Sequence, residues 1–196
     1  MSAGTVAPVR LRFPLVDPTG VLAPVLAAIV VTAVVGVGST AGGVGAAGAA
    51  GSDPRLTRAG LIARADAVCA KGYAAAERLR ASSHPTARGK AAARQIDATL
   101  VVLDRQIAAF ADLRGPRDTD RLLARTVSAL RTTSSGLRDL RSATIRDGSS
   151  VDGAVAAHPA LVRRINAAST TAADDLVRLG FLGCVAAQGD PQTTTP

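Results

Sequence analysis

Ile96-Asp97-Ala98-Thr99-Leu100-Val101-Val102-Leu103-Asp104-Arg105-Gln106-Ile107-Ala108-Ala109-Phe110 sets the fold class of this chain. Ile96, Leu100, Leu103, Ile107 and Phe110 step by four, three, four and three, so one helical face carries a continuous apolar seam. A half-buried strand would need a period of two, and no stretch after Asp53 shows one. Such a seam has to be covered by other helices of the same period, and the flanking sequence supplies three. Thr86 offers a cap before this helix, and Gly115-Pro116 ends it.

Upstream, Asp53-Pro54 reads as a cap followed by proline at the first helical position. Leu61, Ala65, Val68, Gly72 or Tyr73, Ala76 and Leu79 then repeat at three and four until Ser82-Ser83-His84-Pro85 stops the helix. Downstream, Leu123, Val127, Leu130, Ser134, Leu137, Leu140 or Arg141, and Ile145 form a third helix that ends at Asp147-Gly148. The fourth starts weakly over Val151–His158, meets Pro159, and continues through Leu161, Ile165, Ala168, Ala172, Leu176 and Leu179. Gly180 suits a left-handed cap, with Phe181 folding back onto the last turn. Short connections make consecutive helices antiparallel neighbours. The expected fold is all-α, an antiparallel up-down four-helix bundle over residues 53–184. A three-helix core with the fourth helix laid across it is the alternative. The tail, 185–196, is small and polar and is expected to be disordered.

The other decisive segment lies ahead of the bundle. Thr19 to Ser52 carries no charge, and Val21–Val37 is almost continuously apolar, with Pro24 and Gly36 near its ends. Arg10 and Arg12 precede it, within a cytoplasmic segment 1–20. This pattern, over 21–38, predicts a signal peptide cleaved near Ala49 or Ala50 after Ala47-Gly48-Ala49. It equally approaches the length of a membrane anchor with Met1 in the cytoplasm. Residues 39–52 form a Gly/Ala-rich flexible linker in either case. No cysteine lies near the junction, which excludes lipoprotein processing. Export leaves about 145 residues, enough for one domain with a real core. The chain is therefore expected outside the cytoplasm, secreted or anchored.

Composition narrows the chemistry. Three Phe, one Tyr and no Trp leave the core to Leu, Val, Ile and Ala, which favours close helix approach over aromatic-walled pockets. The net charge is +8, with 21 Arg against 2 Lys, a skew that GC-rich codon usage produces. For an exported domain the available anions are lipid headgroups, wall polymers or acidic proteins, not nucleic acid. Arg114, Arg117, Arg121 and Arg125 form a basic line that could hold anionic lipid or a wall polymer, or stand as a solvated face eased by Asp118 and Asp120. Thr133, Ser134, Ser169 and Thr170 lie at one height on helices three and four. This polar waist either lines a small ligand pocket or bonds helix carbonyls one turn earlier.

No enzymatic activity is expected. Glu77 is the one glutamate, so the Glu-x-x-His pairs of a metal-holding bundle are missing. His84 and His158 each precede a proline and suit solvated capping roles. No G-x-S-x-G and no C-x-x-C occur. Asp174 reads as an i,i+4 partner of Arg178. No metal or cofactor is expected. Cys69 sits on the apolar side of the first helix, and Cys184 follows the cap of the fourth. In an up-down bundle these helices adjoin, so a disulfide is expected outside the cytoplasm. Two buried free thiols are the alternative.

Three stretches resemble exported helical proteins common in actinobacteria: Ala65-Asp66-Ala67-Val68-Cys69-Ala70, Leu113-Arg114-Gly115-Pro116 and Leu179-Gly180-Phe181-Leu182-Gly183-Cys184. The shared pattern is an early A-x-x-x-C, a Leu-x-x-Pro corner and a closing L-G-x-x-x-C, spanning about Leu61 to Cys184. The resemblance implies the bundle and the Cys69–Cys184 pair. It implies no substrate and no catalytic residue. The function expected is non-enzymatic: binding a cell-envelope component or protein partner, or a structural role.

Overall fold

The structure is a computed structural model that describes residues 55–186. The expected export segment, the linker, the Asp53-Pro54 cap and residues 187–196 lie outside the described residues. Within them the chain is all-helical: α1 (Arg58–Ala81), α2 (Gly89–Ala111), a 3-10 turn at Arg117–Thr119, α3 (Asp120–Arg146), α4 (Val151–Ala157), α5 (Pro159–Leu179) and α6 (Gly183–Ala186). No strand occurs among the described residues, and none of their helices is long and apolar enough to cross a membrane.

The boundaries follow local chemistry. Thr57 caps α1, its hydroxyl accepting the Gly60 amide at 3.2 Å. Ser150 does the same for α4 through Gly153, at 3.1 Å. Thr86 does not cap α2. Arg88 holds the N-cap position without a side-chain bond, and the backbone turns into the helix at Gly89, whose φ of +53° favours glycine. Pro159 sits at the first turn of α5, where its missing amide costs no hydrogen bond. Gly180 (φ +81°) ends α5, and the Phe181 amide then donates to the Leu176 carbonyl at 2.9 Å. Val185 and Ala186, expected to begin a disordered tail, belong to α6 instead. Val185 is half-buried against the core, because the neighbouring Cys184 ties the chain down.

The long helices form a helical bundle in which packed neighbours run antiparallel. Leu61 near the start of α1 meets Gly115 beyond the end of α2. Asp97 and Asp104 of α2 face Arg141 and Arg138 of α3 in reversed order. Arg125 and Asp139 of α3 face Asp175 and Arg164 of α5, again reversed. The α2 seam is buried along its whole length, as are Leu123, Val127, Leu137 and Leu140 of α3 and Ile165, Leu176 and Leu179 of α5. The α3–α5 contact is tight because Gly136 has no side chain, and a Cβ there would overlap Ile165. On its free flank, α1 meets the rest of the bundle through α6.

Candidate functional site

The narrow face of α1 consists of Leu61, Ala65, Cys69, Gly72 and Ala76, all buried. Such small side chains leave room for a covering segment, and the chain after α5 supplies it. The Phe181 ring is fully buried and stacks on Phe110 of α2, with centroids 6.4 Å apart. Three residues on, Cys184 is bonded to Cys69, with Cα atoms 5.2 Å apart. The Tyr73 hydroxyl donates to the Cys184 carbonyl. Burial, followed by the charge of Asp66, pushes the Tyr73 hydroxyl up to about 12, so it keeps its proton and remains a donor across ordinary pH. Gly183 lies against the Asp66 carboxylate, where a Cβ would come within 2.7 Å of Oδ1.

The four arginines of the basic line do not share one role. Arg114 donates to the carbonyls of Ala111 and Leu113, at 2.6 and 3.0 Å, closing the end of α2. Arg117 and Arg121 are exposed. Arg125 turns toward α5 and grips Asp175 with two hydrogen bonds, Nε to Oδ2 at 2.6 Å and Nη2 to Oδ1. Asp175 is wholly buried while Arg125 stays half exposed, so the guanidinium lids the carboxylate and supplies its hydrogen-bond partners. The bond to Asp175 is also what raises the Arg125 pKa. Asp174, expected to pair with Arg178, is exposed beside it. The spacing held a clue to Asp175: it stands three residues after Ala172 and four before Leu179, on the seam itself.

The polar waist divides as well. Thr133 is buried on α3, bonding the Ala129 carbonyl at 3.2 Å and lying 3.3 Å from the Ser169 hydroxyl of α5. Ser134 faces the other way and donates to Asp104 of α2 at 2.7 Å. Thr170 is exposed. Buried Thr126 and Thr144 likewise bond the carbonyls of Leu122 and Leu140 one turn earlier. The waist hydroxyls that are buried are satisfied by the protein itself.

A cleft opens instead where α2 and α3 part, at the corner closed by Leu113-Arg114-Gly115-Pro116. Its volume is about 370 Å³, within the range of small-molecule sites. Phe110, Leu113, Leu123 and Val127 are buried at its base, and Arg55, Arg114 and Arg131 stand exposed around it. Arg55 reaches in from the non-helical segment ahead of α1. It bonds the Gly115 carbonyl at 2.9 Å and both oxygens of Asp120 at 2.9 and 3.0 Å. That hydrogen bond from Arg55 is the main reason the Asp120 carboxyl is held below the ordinary range. A second cavity, beside Gly72 and Gln106, measures about 10 Å³ and admits at most one water.

Of the two histidines, His84 is exposed at the α1–α2 turn. His158, between α4 and α5, makes no capping bond with its side chain. Its Nε2 lies 2.7 Å from Asp147 Oδ2. No three His, Cys, Asp or Glu side chains gather into a metal-holding group among the described residues. No family model matches the chain, and no curated protein or solved structure matches it.

Two outcomes follow. Arg125→Ala leaves a buried carboxylate without its cation and should lower the urea midpoint, though less than loss of a fully buried pair because the guanidinium is half in water. Asp175→Asn should lower it less, and in the Asp175→Asn background the Arg125→Ala loss should shrink to a minor part of its value in the parent. Equal losses in both backgrounds would refute the pairing. The Asp147 carboxyl is lowered first by the bond from His158, then by the charge of Arg146. A lowered carboxyl stabilises the fold above the unfolded-state pKa and loses that contribution as pH falls through the folded-state value. Carboxyl ¹³C titration of His158→Ala should therefore show Asp147 moving up toward the ordinary carboxylate value. Its urea midpoint should also fall less between neutral and acid pH than that of the parent.

Proposed function

We propose that this chain is an exported cell-envelope protein. A signal or anchoring helix at 21–38 and a Gly/Ala-rich connector at 39–52 present a disulfide-closed, up-down four-helix bundle outside the cytoplasm. The bundle binds an envelope component or protein partner and does not catalyse a reaction. The carrying observation is the Cys69–Cys184 bond across 115 residues. Such bonds persist in oxidising compartments and are rare in the cytosol. The charged side chains support a binding role over catalysis. Asp97, Asp104, Asp139 and Asp175 each pair with an arginine of a neighbouring helix, which leaves them in structural roles. The likeness to exported actinobacterial helical proteins belongs to this proposal. Association with anionic lipid or wall polymer is favoured by Arg117 and Arg121, exposed on one side of the corner. A carrier working through the waist is disfavoured, since Thr133 and Ser134 already have partners.

The test is fractionation of the native host with N-terminal sequencing and thiol alkylation before and after reduction. The expected result is a chain in the envelope or medium whose two cysteines alkylate only after reduction. An intact chain in the cytosol with two reactive thiols would overturn the proposal.

A further inference from the structure

We infer that the α2–α3 cleft binds a single-chain amphiphile with an anionic head, a long-chain carboxylate whose head group takes the place of an acid the chain itself omits. The inference rests on the binding role proposed above and gives that role a ligand class.

Ion pairs mark the register of α2 against α3. Arg138 bonds Asp104 at 2.7 Å, and Arg141 bonds Asp97. Asp97 and Asp104 are seven residues apart, so the acids repeat with the heptad. The arginines do not repeat with them, since Arg141 and Arg138 are three apart and Asp97–Arg141 is a diagonal pair. It is the Asp104–Arg138 rung that, carried seven residues along each antiparallel helix, sets Ala111 opposite Arg131, and both line the cleft. Arg131 therefore stands to Ala111 as Arg138 stands to Asp104. The arginine of this rung is kept and its carboxylate is missing. Arg131 is exposed and makes no ion pair among the described residues.

The vacant rung lies over the cleft. Arg55 and Arg114 add positive charge at the same mouth, and the one carboxylate there, Asp120, is already bonded by Arg55. Below, Phe110, Leu113, Leu123 and Val127 form an apolar base. A bare inorganic anion would satisfy Arg131 and leave that base wetted. A neutral hydrocarbon would cover the base and leave Arg131 unmet. A carboxylate carrying an alkyl chain meets both demands, through a charge-assisted hydrogen bond and apolar burial.

The experiment is calorimetric titration of the full-length oxidised chain with dodecanoate below its micelle concentration, beside dodecan-1-ol and inorganic phosphate. Ala111→Asp restores the missing rung, and Arg131→Glu reverses the exposed charge without touching the core. Dodecanoate should bind one to one. Each variant should weaken it about tenfold or more, and both control compounds should bind the parent at least about tenfold more weakly. Absence of dodecanoate binding, equal affinity in both variants, or equal affinity for either control would overturn the site. Any of those results leaves the compartment to be settled by fractionation and alkylation, so the two failures are told apart. Should Ala111→Asp fail to fold, Arg131→Glu alone carries the decision.

Discussion

The bond between Cys69 and Cys184 is the constraint on which this bundle turns. α1 brings little apolar area of its own: its buried face is Leu61, Ala65, Cys69, Gly72 and Ala76. It packs along α2 on one side, and on the other it meets chiefly the short segment that follows α5. That segment carries Phe181 into the core against Phe110 and places Cys184 on Cys69. In the chain-entropy account a crosslink over so long a loop contributes about 4–5 kcal/mol at most. Against a total of about 5–15 kcal/mol for a domain, this is a large fraction. Closure also explains why the residues around it are fixed in kind. Gly180 makes the turn, Gly183 passes the Asp66 carboxylate, and Tyr73 holds the Cys184 carbonyl.

The rest of the architecture is held by close approach and paired charge. Gly136 lets α3 and α5 come together at Ile165, and buried threonines return their hydroxyls to their own helix. Arginine–aspartate pairs then mark the register between helices: two between α2 and α3, two between α3 and α5. Half-exposed pairs add little stability each. Their position along the seams argues for a role in fixing which turn of one helix faces which turn of the next. Carried one heptad along both helices from Asp104–Arg138, the antiparallel register sets Arg131 opposite Ala111, where no acid stands.

Much of this was legible in the residues. The seam from Ile96 to Phe110 is buried at every position named, because a four-three repeat keeps side chains on one face whatever the partner. The Gly180 cap and the fold-back of Phe181 follow from backbone sterics that act locally, and the structure has both. The cysteine pair joins as expected, but through the short α6 that follows α5 and not through side-by-side packing of α1 on α5. What escaped was relational. Arg117 lies in the 3-10 turn ahead of α3, and residues four apart on an α-helix drift by about 40°, so Arg125 is turned from Arg121 and reaches α5, where Asp175 lies buried. A spacing rule sees a stripe, while the partner helix decides which member is lidded. The α2 start escaped for a similar reason: Thr86 has the right chemistry for a cap, but the chain enters the helix through a left-handed glycine two residues past Ala87. The cleft depends on where two helices part and on the reach of Arg55 from outside both, and no single-helix pattern encodes either.

The claim that closure holds α1 in place is tested most directly by amide hydrogen exchange on the oxidised and reduced protein, followed by mass spectrometry at peptide resolution. Reduction should accelerate exchange in α1 and α6 strongly and in α2, α3 and α5 far less. Unchanged protection throughout, or a uniform loss across all helices, would contradict it.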